Sequence, residues 1–294
     1  MVAGQTASGK SDFAIQLAQL LNRAGRPTEI VNADAMQLYR GMNIGTAKLP
    51  ESQRDAVAHH LIDVLDPTED CSAVRYRELA TPVIQELLHR GVLPLVTGGS
   101  MFYLASLTDE MDFAPSDQSL RKELEAQLEI AGPEHMHGLL AQKDAAAADK
   151  IPAANSRKVI RALEVIQLTG EPFSATLPIP VSRWKTVFIG LQPDPNRAKQ
   201  RIADRAAQMF AVGLIAEAEA LAQIGFGRTA SQAIGYRQAL EVARGELSES
   251  AAIAEVTQLT ERYAKRQRSW FRRDNRIHWL EEPYDLNAAL QLIG

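Results

Sequence analysis

The sequence predicts an α/β fold with a parallel-sheet core and an inserted helical subdomain. Three observations carry this prediction. Short apolar runs rich in Val and Ile alternate with helical patterns over 1–111. From 112 to 183 the alternation stops and only helical periodicity is found. Over 184–294 a strand returns, followed by long helices. The core is thus expected in two parts, 1–111 and 184–294, with 112–183 as the insertion. The chain has 294 residues, 46% hydrophobic and 23% charged, which excludes a disordered tail, a collagen-like fibre and a disulfide-stapled miniprotein. Cys71 is the only cysteine, so neither an internal disulfide nor a cysteine-based zinc site can form, and a cytoplasmic location is expected. No apolar run approaches the roughly 20 residues of a membrane span, and no signal leader is visible. The net charge of −4 would, as an average, argue against nucleic acid.

The first element is a loop. Gly4-Gln5-Thr6-Ala7-Ser8-Gly9-Lys10-Ser11 matches G-x-x-x-x-G-K-[ST] at every fixed position. Gly4 and Gly9 let the backbone turn its N–H groups inward as an anion cradle. Lys10 can reach an outer phosphate, and the Ser11 hydroxyl can bind Mg²⁺. The apolar pattern Phe13, Ile15, Leu17, Leu20, Leu21 predicts an amphipathic helix whose N-terminus adds its dipole to the cradle. The core is therefore expected to be P-loop NTPase-like, although only Met1, Val2 and Ala3 precede the loop. A strand feeding such a loop usually has about 5–6 residues.

Glu29 to Asp34 reads as a second strand ending in an acid. A carboxylate there lies in the crevice where open α/β sheets bind ligands, as a base or a water-mediated metal ligand. A turn or cap acid is the alternative. A third strand, Val92 to Thr97, runs into Gly98-Gly99-Ser100 with no terminal Asp, and no Asn-Lys-x-Asp motif is present. Ordinary GTPases and many ATPases are disfavoured. His59-His60 reads as a packing pair in a loop, because adjacent side chains diverge and no third ligand lies at metal spacing.

Within the insertion, helices are expected near Ser116–Ala131, Glu134–Gln142 and Asn155–Thr169, broken at Gly132-Pro133 and Ile151-Pro152. A Pro-rich stretch (Pro172, Pro178, Pro180) closes it. A strand at Trp184–Leu191, helices to Trp270 and a strand at Ile277–Leu280 complete the core. Charge is uneven. Arg262, Lys265, Arg266, Arg268, Arg272, Arg273 and Arg276 face only Glu261 and Asp274, interleaved with Tyr263, Trp270 and Phe271. Arg157, Lys158 and Arg161 form a second cluster. Basic faces with aromatics suit phosphate contact and base stacking, and a solvated face is the alternative. Arg201 and Arg205, at i and i+4, could converge on a diphosphate.

These residues resemble the bacterial tRNA dimethylallyltransferases. The matching segments are Gly4–Ser11, Asn32–Tyr39, Gly41–Lys48, His59–Asp63, Gly98–Tyr103, Asn155–Val165, Ala233–Gln238 and Tyr263–Gln267, in order along nearly the whole chain. The resemblance implies transfer of a dimethylallyl group from dimethylallyl diphosphate to N6 of adenosine-37, with the tRNA anticodon loop held by core and insertion and the base flipped out. It implies catalytic roles for Asp34 (general base), Ser100 and Arg205. It places the diphosphate on Gly4, Thr6, Ala7, Ser8, Gly9, Lys10, Ser11 and Arg201, with Mg²⁺ at Ser11. It places tRNA on Asp34, Ala35, Met36, Gln37, Ser100, Arg121, Arg157, Lys158, Val159, Ile160, Arg161, Arg237, Lys265 and Arg266. A monomer without membrane attachment is expected. Gln5 stands where the family has Pro, Ala35 where it has Ser, and Ser100 where it has Thr. The rival readings are an isopentenyltransferase for free adenine nucleotides and, more distantly, a P-loop small-molecule kinase.

Overall fold

Consecutive residues of each central strand point to opposite faces of a sheet, and the apolar pairs in this sequence are spaced to exploit that. In the computed structural model, which describes residues 1–110, 115–173 and 181–294, Val2, Ile30, Leu95 and Ile189 pack on one face. Their chain neighbours Ala3, Val31, Val96 and Phe188 pack on the other. Strands buried on both faces belong to parallel sheets covered by helices. The expected boundary at 111/112, and Pro178 and Pro180, lie outside the described residues.

The chain runs β1 (Val2–Gly4), α1 (Lys10–Arg23), β2 (Thr28–Asn32), α2 (Glu51–Arg54), β3 (His59–His60), α3 (Ala73–His89), β4 (Leu93–Gly98) and α4 (Met101–Thr108). Three helices follow, α5 (Gln118–Lys143), α6 (Ala145–Ala148) and α7 (Ser156–Thr169). Then come β5 (Phe188–Gln192), α8 (Pro195–Ala211), α9 (Leu214–Ile224), α10 (Tyr236–Ala243), α11 (Glu249–Phe271), β6 (Ile277–Glu281) and α12 (Leu286–Ile293). The six strands form one parallel sheet in the order β3-β2-β4-β1-β5-β6. One core joins α1 and α12 to the sheet through Phe13, Leu17, Leu21 and Ala289. The opposite core gathers Tyr76, Leu104, Leu107, Tyr236, Val256 and Phe271 from α3, α4, α10 and α11.

Helix starts are written in side chains. Ser72, Asp117, Asn155, Asp194 and Ser248 each accept a backbone N–H of the first turn that follows, and Pro195 opens α8. Two expectations change. His59-His60 is a short edge strand rather than a loop, paired to β2 at Ile30 and Val31. The fifth strand starts at Phe188, where pairing to β6 starts, and pairing to β1 follows from Ile189. Trp184 lies ahead of it, its indole N–H bonded to the Leu107 carbonyl at 2.9 Å. The break expected at Gly132-Pro133 is present inside α5, where Gly132 at φ 80° and ψ 167° leaves the helical region between two helical stretches.

The chain divides into two compact units, Met1–Asp109 with Ser182–Gly294, and Glu110–Val181. The second unit has its own core of Leu124, Met136, Leu140, Ile151, Val159, Ile160 and Leu163. Among the described residues, no single helix is long and apolar enough to cross a membrane.

Candidate active site

The loop after β1 meets the loops after β2 and β4 at the carboxyl end of the sheet, where open α/β folds bind ligands. A cleft of about 170 Å³ opens there, lined by Thr6, Ala7, Gly9, Lys10, Ser11, Asp12, Asn32, Asp34, Gln37, Thr97, Gly98, Arg205, Tyr263 and Gln267 among others. Close approach explains the small residues. A Cβ on Gly98 would lie 2.3 Å from the Ala33 carbonyl oxygen, and one on Gly99 would lie 2.3 Å from the Gln267 Nε2.

The cradle has a defined form. Ala7 at φ 59° and Gly9 at φ 79° put two left-handed turns into the loop, and Gly9 then caps α1. Alternating hand of this kind turns successive N–H groups toward one concavity. Lys10 and Ser11 open the helix, and Lys10 Nζ donates to the Gln5 carbonyl at 2.6 Å. Burial pushes the Lys10 amine down to about 8, against the pull of Asp34 and with a further push from Arg205. Arg205 reaches in from α8, with Nη1 3.5 Å from Thr6 Oγ1. Burial also lowers Arg205, opposed by Asp34 and Asp12. Burial disfavours both cations, so an anion seated in the cradle would favour their charged forms. Ser8 lies fully buried behind the loop and, like Gly4, does not line the cleft.

Asp34 does two things at once. Its Oδ1 accepts the Met36 N–H at 3.0 Å, the local turn bond, while the side chain still lines the cleft. Ser100 Oγ accepts the Ala35 N–H at 2.8 Å and so holds the Asp34 loop in place; it does not itself line the cleft. Arg201 parts from Arg205. It donates to the Ala7 carbonyl at 3.0 Å and pairs with Glu282, bracing the loop from outside.

The remaining predicted residues are dispersed. Arg121 and Arg161 both pair with Glu164, a fully buried carboxylate in the second unit. Burial pushes Glu164 up, but the hydrogen bonds from the two arginines and the Asp117 N–H outweigh it and hold the group below its usual range. Arg157 and Lys158 are exposed. The side chains of Val159 and Ile160 are buried in the second unit's core, because α7 turns positions 159, 160 and 163 inward. Arg237 pairs with Glu241 at 2.6 Å and with Glu255, tying α10 to α11. Lys265 and Arg266 are exposed, and the Arg266 guanidinium lies over the Tyr263 ring at 5.4 Å.

Several residues escaped the sequence reading. Gln267 accepts the Thr6 N–H at 2.7 Å and donates to the Gly99 carbonyl at 2.8 Å, joining the cradle to the loop after β4. Tyr263, one turn earlier on α11, faces the same cleft, and burial followed by the Asp34 charge pushes its hydroxyl up to about 12. Their i, i+4 spacing was the available signal. His59 lines the cleft, its Nδ1 2.7 Å from the Val57 carbonyl, and burial lowers it. His60 pairs instead with Glu29.

For a metal, the cleft offers hard oxygens. Ser11 opens α1 beside the cradle, and Thr97 Oγ1 is buried with no hydrogen-bond partner among the described residues. No cluster of three His, Cys, Asp or Glu that could hold a metal exists among the described residues. That donor set fits Mg²⁺, which keeps waters and takes substrate phosphate oxygens, and does not fit an all-protein cage.

Comparison with known proteins agrees with this geometry. The family model described as IPP transferase matches residues 37–274. The tRNA dimethylallyltransferase of Kineococcus radiotolerans is 47% identical over 96% of this chain and 90% of its own length. That of Thermobifida fusca is 47% identical over 97% and 89%. Among solved structures, the tRNA isopentenylpyrophosphate transferase of Bacillus halodurans is 36% identical with a TM-score of 0.70, over 99% of this chain and 92% of that one. A eukaryotic dimethylallyltransferase acting on tRNA is 27% identical with a TM-score of 0.79, over 99% and 76%. A parallel sheet, a phosphate cradle facing Asp34, and relatives matched almost end to end lead to one statement: the chain belongs to the IPP transferase family.

Proposed function

We propose that the enzyme transfers a dimethylallyl group from dimethylallyl diphosphate to N6 of adenosine-37 in tRNA, releasing diphosphate. The observation that carries this reading is Asp34 opening onto the same cleft as a complete diphosphate cradle. The donor's C–O bond breaks, a bond from N6 to the allylic carbon forms, and the N6 proton passes to Asp34. An exocyclic adenine amine is a weak nucleophile, so a placed base contributes about 10²–10⁴-fold. Charge that builds on the departing diphosphate meets the inward N–H groups of Ala7 to Ser11, with Lys10 and Arg205. Mg²⁺ held by Ser11 and phosphate oxygens would neutralise further charge there. The acceptor base must leave its stack, because its N6 edge is otherwise hidden. Ser100 and Gln267 set the positions of the Asp34 loop and the cradle, and Arg201 braces the cradle from behind. Arg157, Lys158, Lys265 and Arg266 are exposed cations suited to the tRNA backbone. Glu164 orients Arg121 and Arg161. We take the enzyme to act as a cytoplasmic monomer.

The deciding experiment supplies labelled dimethylallyl diphosphate and Mg²⁺ with unmodified tRNA in one reaction and AMP in another. Label is expected in tRNA. Label in AMP alone would overturn the reading in favour of a free-nucleotide isopentenyltransferase.

A further inference from the structure

Two aromatic side chains, on α4 and α11, take no part in the chemistry above. Phe102 follows Ser100 by two residues on α4, and Trp270 follows Gln267 by three on α11. Their ring centroids are 4.7 Å apart with planes tilted by 54°. Phe102 is 55% exposed, unusual for a side chain that core packing would ordinarily bury. Both anchors matter, since Ser100 holds the Asp34 loop and Gln267 holds the cradle. The pair therefore stands on the two elements that position the reacting groups.

Its surroundings select the partner. Arg266 lies one turn before Trp270 on α11, and Arg273 lies three residues after it. Both are exposed, and no carboxylate pairs with either among the described residues. Arg276, by contrast, is committed to Asp109 and Asp274. Flat apolar rings with an unpaired guanidinium on either side suit a nucleobase face and its flanking phosphates.

We propose that Phe102 and Trp270 form a stacking platform for a base of the RNA substrate adjacent in sequence to the acceptor adenosine. The inference rests on the tRNA reading above. Extruding the acceptor base leaves a neighbouring base with one bare face, and the aromatic pair covers it. Stacking regained there offsets part of the cost of flipping.

The test compares Phe102→Ala, Trp270→Ala and Trp270→Phe with wild type, using an anticodon stem-loop RNA as acceptor. Both alanine variants should raise the KM for RNA by about five- to 100-fold, the range of one lost base–aromatic stack. Trp270→Phe, which keeps a ring, should stay within about threefold on the same scale. The KM for dimethylallyl diphosphate and the affinity for inorganic diphosphate should not change, which also reports that each variant is folded. Phe102→Ala, at a largely exposed position, carries the test alone if Trp270→Ala does not fold. In a second arm, stem-loops lacking one base beside the acceptor are used with wild type and Phe102→Ala. At one position the loss of the base and the loss of the ring should not add. An RNA KM within about twofold of wild type for Phe102→Ala, or additive losses at every position, would overturn the platform. So would a change in oligomer size on Phe102→Ala with unchanged RNA kinetics, which would make the pair a protein contact. If wild type labels AMP and not RNA, the parent reading fails first and separately.

Discussion

Asp34 shows how two local readings of one residue can both hold. Its Oδ1 closes a turn onto the Met36 N–H, which fixes the carboxylate without taking its other oxygen. Asp34→Asn keeps that turn but cannot accept a proton. Turnover should fall about 10²- to 10⁴-fold, with inorganic diphosphate binding retained; steady-state rates and calorimetry read the two effects apart. Lys10 gives a pH signature. Burial holds its amine near 8 in the folded protein, below its ordinary 10.5. Between those values the unfolded chain carries the proton and the folded one does not, so this group makes the fold more stable as pH rises from 8 toward 10.5. A bound diphosphate favours the protonated amine and reverses the shift. Diphosphate binding at pH 9 should therefore take up a proton, seen as a buffer-dependent calorimetric heat, and Lys10→Met should abolish both uptake and most of the affinity. The cradle was legible in the sequence because its eight residues are contiguous and chemically constrained. Gln267 and Tyr263 were visible as the ends of a motif at i, i+4, but their roles were not, because these depend on α11 crossing behind the loop. The burial of the Val159 and Ile160 side chains was not legible, because a contiguous motif on a helix includes both its faces.

At the scale of elements, the loop between β2 and α2 is held by groups far away in sequence. The Glu217 carboxylate on α9 accepts the N–H groups of Asn43, Ile44 and Gly45 at 2.8–3.1 Å and the Tyr236 hydroxyl at 2.7 Å. Gly45 is required there, since a Cβ would lie 2.5 Å from the Tyr236 ring. Lys48 fixes the other end through the Tyr39 carbonyl, Asn43 and Asp63. The next residue, Thr46, lines the cleft and takes the Gln37 amide through its carbonyl at 3.2 Å. Removing the carboxylate leaves three backbone donors without their acceptor. Glu217→Ala should lose about 1.5–3 kcal/mol, which for a domain of this size lowers Tm by about 3–10 °C; a thermal melt checks it. Glu217→Gln should recover only part, because its amide sets a donor against those donors. The Gly41–Lys48 segment was visible as a motif, but its acceptor, 170 residues onward, was not. The two-residue β3 was missed for a simpler reason: so short a strand has no periodicity to read.

At the scale of the whole molecule, fold class was the most legible property, since alternation of strand and helix patterns maps directly onto a sheet covered on both faces. Net charge was the least informative. The total of −4 averages over exposed cations on α7 and α11 and over arginines already neutralised by Glu164, Glu241, Asp109 and Asp274. RNA binding should accordingly be strongly salt-dependent, and Lys265→Ala with Arg266→Ala should reduce the slope of log K against log salt by about two.

The point where the chain leaves the sheet-bearing unit and returns to it has a practical meaning. Asp109 and Ser182 form an antiparallel bridge, the Arg183 N–H bonds to the Thr108 carbonyl at 2.8 Å, and Arg276 clasps both Asp109 and Ser182. Departure and return thus share one doorway, closed by bonds that belong to the sheet-bearing unit alone. A two-glycine link from Asp109 to Ser182 would leave that doorway intact, and the shortened protein should still fold and bind diphosphate while losing affinity for tRNA. The 72 intervening residues then behave as a cassette that can be removed without opening the sheet-bearing unit.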